Sequence, residues 1–137
     1  MPDYWLVNTG TTEQPWDGDL LGRYRAWNER EGDVQGFSRR PSGISVGDVL
    51  IHRAVGSPGN RLVAVGEVVG EPTDRPELRW RYRLPRRLTY VCPVLSEAPR
   101  AGEVGVDAHG VRTYKRLLPE AGRLAERAIV ARGVLFA

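Results

Sequence analysis

Three consecutive segments decide the fold: Asp48-Val49-Leu50-Ile51-His52-Arg53-Ala54-Val55, then Gly56-Ser57-Pro58-Gly59-Asn60, then Arg61-Leu62-Val63-Ala64-Val65-Gly66-Glu67-Val68-Val69. Two runs rich in Val, Leu and Ile flank a cluster of turn formers, which predicts a β-hairpin. Pro58 presets the first central φ of a type II turn, and Gly59 accepts the positive φ of the second. Gly66, inside the second run, predicts a bulge or the bend of a small barrel.

Working outward, Leu78, Trp80, Tyr82 and Leu84 alternate with Arg79, Arg81 and Arg83. A period of two predicts a strand with one apolar, aromatic face and one row of guanidiniums. Leu88 to Val94 is a further strand with Pro93 near a sheet edge, and Val111 to Leu117 is a last central strand. Pro119 suits the first position of a closing helix, with Glu120 in its positive first turn, Ala121, Leu124, Ala125 and Ala128 on one face, and Gly133 as cap. The apolar tail Val134 to Ala137 must then pack somewhere.

Toward the N-terminus, Tyr4 to Asn8 reads as a strand ending at Thr9-Gly10-Thr11-Thr12. Asp19 to Glu29 reads as a helix, with Asp17 or Asp19 as N-cap and Leu20, Tyr24 and Trp27 at i, i+4, i+7. Gly32 ends it, and Asp33 to Ser45 is a loop. Five or six short strands and two or three helices, with tight hairpins and no βαβ rhythm, predict an α+β fold around a small, partly open barrel.

The 137 residues, 41% hydrophobic and 27% charged, form one expected domain spanning 1–137. A domain of this size buries roughly 68–70% of the surface its unfolded chain would expose, and so needs no disulfide or structural metal. No apolar run approaches the ~18 residues of a spanning helix, and Met1-Pro2-Asp3-Tyr4 lacks the basic start of a secretory signal, so a cytoplasmic protein without membrane contact is expected. Cys92 is alone, which excludes an internal disulfide and a Cys-rich zinc site. Neither His52 nor His109 has the spaced partners of a metal site, and no metal or cofactor is expected.

Arginine supplies 19 of the 20 basic residues, and Lys115 the other. Two readings stand: a surface suited to phosphates and bases, or the codon bias of a genome rich in G and C. The formal charge of +3 is too small to indicate a polyanion partner without local clustering. The clusters present are Arg39-Arg40, the Arg79, Arg81, Arg83 row and Arg86-Arg87. They read either as a salt-bridged face with Glu71, Asp74 and Glu77 or as phosphate ligands.

Gly43-Ile44-Ser45-Val46-Gly47 has the spacing of a nucleophile elbow, but a loop precedes it and a strand follows, so Ser45 reads as a turn residue. Trp27, Trp80 and Tyr82 are core residues by default, because an exposed indole is costly. Trp16 differs, lying between Gln14-Pro15 and Asp17-Gly18 with no apolar periodicity. It either plugs the end of a barrel or offers a face to a ligand. Aromatic faces hold a base by stacking worth about 1–3 kcal/mol.

Tyr4-Trp5-Leu6-Val7-Asn8, then Trp16-Asp17, then Val46-Gly47-Asp48-Val49-Leu50-Ile51 resemble the EVE domain of the PUA-like superfamily, which also holds the YTH and ASCH domains. Leu62 to Val69, and Arg112 to Leu117 followed by Pro119-Glu120, extend the resemblance over almost the whole chain. The Gly-x-Lys-x-x-Glu signature of ASCH domains is absent. The resemblance implies a five- or six-stranded pseudobarrel with flanking helices and a pocket for a nucleobase, often a modified one, from DNA or RNA. It places Asn8, Thr9, Trp16 and Trp27 at that pocket, with Trp80 less securely. Arg39, Arg40, Arg81, Arg86 and Arg87 would hold phosphates. The expectation is a binding module without catalysis. The alternatives are a nuclease or base hydrolase using His52 or an Asp, and a pocket for a free nucleoside or small cationic metabolite.

Overall fold

Trp5, Leu6 and Val7 are all buried, so the first strand is covered on both faces. That requires layers on either side of it. The computed structural model describes residues 2–111 and 113–136 and shows where those layers come from. In chain order the elements are β1 (Tyr4–Thr9), α1 (Leu20–Glu31), β2 (Val34–Phe37), β3 (Val49–Ala54), β4 (Leu62–Val68), β5 (Thr73–Asp74), β6 (Tyr82–Val91), β7 (Tyr114–Leu117), α2 (Pro119–Arg132) and β8 (Val134–Leu135). Short 3-10 turns lie at Leu95–Glu97 and Ala101–Val104. The fold is α+β: a mixed sheet curls into a half-barrel in the order β2-β6-β4-β3-β1-β7, with β5 and β8 also paired to β6. The β1–β3 pair is parallel.

The hairpin forms as its chemistry requires. Asn60 N–H donates to Ser57 O at 3.1 Å across the turn, and Gly59 sits at φ +77°. The register of β4 against β6 shifts between Val65 and Gly66, beside the irregularity predicted at Gly66, but the extra residue, Thr89, is on β6. Asp19 caps α1, its carboxylate accepting from Gly22 N–H at 3.1 Å, and Gly32 at φ +92° ends the helix.

Four expectations need correction. The strand predicted over Leu78 to Leu84 begins only at Tyr82, and it runs on through the second predicted strand as one ten-residue β6. Pro85 does not interrupt it, because its carbonyl still accepts from Val69 N–H at 3.0 Å. The Arg row breaks with it: Arg79 and Arg81 are exposed, but Arg83 is buried and ion-paired to Glu31. Second, the predicted loop Asp33 to Ser45 contains β2, which pairs with β6 although its apolar content is small. Third, α2 buries Gly122, Ala125 and Ile129, while Leu124 faces out. Fourth, the last strand is only Tyr114–Leu117, an edge beside β1. Arg112 in the predicted strand, Ala137 in the predicted tail, and Met1 lie outside the described residues.

Two apolar groups result. Leu6, Ile51, Val63, Val65 and Ile129 pack between the sheet and α2. Trp5, Val7, Leu50, Val68 and Leu84 fill one end of the half-barrel interior. Buried Asp48 clips that end together, accepting from Asp3 N–H at 3.0 Å, Trp5 Nε1–H at 2.9 Å and Ser45 N–H at 2.9 Å. Among the described residues no helix is long and apolar enough to cross a membrane.

Helix α2 reaches β1 through Gly122, where a Cβ would overlap Cβ and Cγ of Tyr4. Alanine is the better helix former by about 1 kcal/mol, but overpacking costs about 1–3 kcal/mol. Gly122→Ala is therefore expected to destabilise, as a lower urea midpoint. A midpoint at or above wild type would mean that α2 is not seated on Tyr4.

Candidate functional site

The strand alternation that places Trp5 and Val7, Leu50, and Leu84 in the interior continues to Thr9, His52 and Arg86. One end of the half-barrel is thus hydrocarbon and the other is polar. Tyr24 enters the polar end from α1, and both Tyr24 and His52 are fully buried. Thr9 Oγ1 lies 3.0 Å from Tyr24 Oη and 3.1 Å from His52 Nδ1, and Tyr24 Oη lies 3.1 Å from the same nitrogen. Burial holds the His52 pKa well below its usual value, and the Arg86 cation adds to the effect. Burial likewise raises the Tyr24 phenol. Both are neutral near pH 7.

Arg86 is the largest fully buried side chain, 1% exposed. Its Nη1 donates to Asn28 Oδ1 at 3.0 Å, while its enclosed Nε, like His52 Nε2, has no hydrogen-bond partner among the described residues. Gly66 on β4 lies beside its stem: a Cβ there would stand 3.6 Å from Arg86 Cδ, an ordinary packing contact.

Above this floor opens a cleft of about 770 Å³, within the ~300–1,000 Å³ typical of ligand sites. Its walls are indoles from three separate segments: Trp16 in the β1–α1 loop, Trp27 on α1 and Trp80 in the β5–β6 turn. Trp16 packs edge-on against Tyr24, centroids 4.7 Å apart at 71°, and against Trp27 at 6.4 Å and 63°. Trp27 is fixed by its Nε1–H donating to Val34 O at 2.9 Å. Trp80 lies over β2 at Gly36, with the Arg79 guanidinium 4.9 Å from its ring centroid. All three indoles are half-buried, so each keeps some surface for a ligand.

The five residues singled out for base contact, Asn8, Thr9, Trp16, Trp27 and Trp80, therefore line one cleft. Two are more constrained than the sequence suggested. The Asn8 amide oxygen accepts from Arg53 Nε at 3.0 Å, and the Thr9 hydroxyl belongs to the buried Tyr24–His52 network. Arg53 is itself anchored, with further bonds to Asn60 Oδ1 at 3.1 Å, Ala108 O at 3.2 Å and Val111 O at 3.3 Å.

The five arginines expected on phosphates are not one group. Arg86 is in the interior, because the period of β6 aligns it with Leu84, so it is no surface ligand. Arg87 is exposed in a separate shallow groove with Arg25 and Phe136, and pairs with Glu67 at 2.8 Å. Arg81 is exposed and holds Asp74 through two bonds, of 2.6 and 2.9 Å. Arg39 and Arg40 are exposed and follow directly on Ser38, which lines the cleft. Arg79 of the predicted Arg row also lines it, as do Arg30 and Arg53, which were not singled out in the sequence.

The other candidates fall outside the cleft. Ser45 lies in the turn tied to Asp48, ahead of a strand. His109 is exposed in a turn. Burial pushes the Cys92 thiol up to about 11, so it carries little thiolate at neutral pH. Among the described residues no three His, Cys, Asp or Glu side chains group closely enough to hold a metal.

No protein-family model and no curated protein matches this sequence. Among solved structures, the chain is similar to a hypothetical protein from Leishmania major, with a TM-score of 0.53 and 11% identity over 93% of this chain and 94% of that one. It is also similar to a protein from Agrobacterium tumefaciens, with a TM-score of 0.48 and 14% identity over 92% of each chain. The likeness to the Leishmania protein is one of fold.

Neutral burial of His52 has a consequence for stability. Its folded pKa is depressed, so below the unfolded value of about 6.5 the unfolded chain binds the extra proton and stability falls with pH, by at most about 1.4 kcal/mol per pH unit. Above that value the contribution is fully present. Urea unfolding at pH 7.5, 6.5 and 5.5 is expected to show this falling limb, and His52→Gln is expected to flatten it. Equal slopes for the two proteins would show that His52 is not held neutral.

Proposed function

We propose that this chain is a nucleic-acid-binding module, of the PUA-like kind, that admits one unpaired or flipped nucleobase, plain or modified, into its aromatic-walled cleft without transforming it. The observation that carries this reading is the convergence of Trp16, Trp27 and Trp80, from three distant segments, above a hydrogen-bonding floor. Flat walls above a polar floor suit a flat ligand with polar edges. Extruding a base costs a few kcal/mol, which stacking and bonds to the base edge offset.

Charge supports the same ligand. Arg30, Arg53, Arg79 and Arg86 line the cleft against Glu31, whose carboxylate is engaged by Arg30 and Arg83. Arg39 and Arg40 extend the positive surface past Ser38, where the phosphates flanking an inserted base would run. The chemistry of the site favours binding without turnover: His52 is neutral and sealed, and the Glu31 carboxylate in the cleft is ion-paired. Neither is placed to move a proton for a ligand.

The test is titration of short single-stranded DNA and RNA, with plain and methylated bases, at two salt concentrations. Binding at low salt that weakens as salt rises is expected. Trp16→Ala is expected to cost about 1–3 kcal/mol of affinity with little change in melting temperature. Labelled strands should be recovered uncut. Failure of every strand to bind at low salt, or full affinity in a Trp16→Ala, Trp80→Ala double variant, would remove the proposal.

A further inference from the structure

We infer that the cleft floor reads the acceptor edge of a 6-oxopurine, the O6 and N7 of guanine or hypoxanthine, and rejects bases that present an amino group there; the inference rests on the nucleobase reading above. Arg86 is the observation behind it. Guanidinium has five N–H donors and no acceptor, and it stays charged whatever its surroundings. A buried cation of this kind normally sits against a carboxylate or a full set of carbonyls, because an uncompensated charge away from water is strongly unfavourable. Elsewhere in this chain that rule holds. Arg83 binds the Glu31 carboxylate and backbone carbonyl, and Arg53 has four acceptors. Among the described residues the Arg86 side chain has one hydrogen-bond acceptor, Asn28 Oδ1; its Nε is enclosed with no partner among them, and it lines the cleft.

Its neighbours do not supply the missing acceptors. Tyr24 and Thr9 direct their hydroxyls to each other and to His52 Nδ1, and Asp33 accepts the Arg86 backbone N–H through its carbonyl, while its exposed carboxylate attracts the guanidinium through space without a hydrogen bond to it. The site is therefore short of acceptors and rich in donors, and a ligand that brings two adjacent acceptors in one plane completes it. The fork of a guanidinium matches O6 and N7 of a 6-oxopurine in that way, whereas the N6 amino group of adenine would set donor against donor. Trp27, one residue before Asn28 on α1, and Trp16 beside it give that ligand faces to stack on. Free phosphate offers acceptors as well but nothing to stack, which is why the argument favours a base.

The experiment is competitive fluorescence anisotropy with a labelled single strand and unlabelled hexanucleotides. These differ at one central base: guanine, hypoxanthine, adenine or 2,6-diaminopurine. Guanine and hypoxanthine are expected to bind about 5- to 150-fold more tightly than the two 6-amino purines, the discrimination typical of a bidentate contact. Arg86→Met is expected to abolish the preference while leaving the urea midpoint unchanged or higher, since it removes a buried charge and keeps the stem. Arg86→Lys, which keeps the charge but loses the fork, is expected to abolish it too, and decides the matter should the Met variant fold poorly. Equal binding of all four strands, a preference that survives in both variants, or displacement by inorganic phosphate at strand concentrations would overturn this inference and leave the nucleobase reading intact. Failure of every strand to bind would remove both.

Discussion

A guanidinium enclosed with a single side-chain hydrogen bond among the described residues is the constraint to which the polar half of this half-barrel answers. Arg86 projects from the middle of β6 into the polar half of the half-barrel, where it meets Asn28 of α1. Close by, the register of β4 and β6 shifts between Val65 and Gly66, with Thr89 of β6 as the extra residue. Asn28 then has to face inward, which sets the rotation of α1 and carries Tyr24 and Trp27 to their places on either side of the cleft floor. Remove the guanidinium and the reason for a polar interior at this end goes with it.

The two ends of the interior are held by different forces. At the Trp5 end, burial of apolar surface and the three bonds to Asp48 fix the chain before and into β3. At the Arg86 end, Thr9, Tyr24 and His52 satisfy one another and leave Arg86 Nε and His52 Nε2 without a partner among the described residues. A fully bonded network stiffens a core, whereas one with open donors lowers stability and favours a partner from outside. The stable end carries the fold, and the open end carries the cleft.

How much of this was legible in the sequence depends on the range of the interaction involved. The Pro58-Gly59 turn, a cap at Asp17 or Asp19 and the start of α2 at Pro119 were readable because each is decided within a few residues, and the structure selects Asp19. The strand β2 was not, since Val34-Gln35-Gly36-Phe37 becomes a strand only by pairing with Tyr82–Pro85, far along the chain. The same distance explains the altered helix face: Gly122 rather than Leu124 points inward because Tyr4, on β1, needs the space. Asn8, Thr9, Trp16, Trp27 and Trp80 were singled out from a family resemblance and from unusual local settings, and they converge on one cleft.

Arg86 shows where the reading of a sequence goes astray for a physical reason. Next to Arg87 it looks like half of a surface cluster, because paired charges are usually solvated. Its neighbours two residues away, Leu84 and Leu88, are both buried, and in a strand residues of one parity share a face. Arg87, of the other parity, is exposed. The period thus outweighs the composition, and the alternation that marks β6 as a strand also places one guanidinium inside. A strand that spends an interior position on a cation with one side-chain hydrogen bond among the described residues gives up packing that a leucine would supply. In a chain whose other interior positions are chosen for packing, that loss is understandable where the charge meets something the chain does not itself contain.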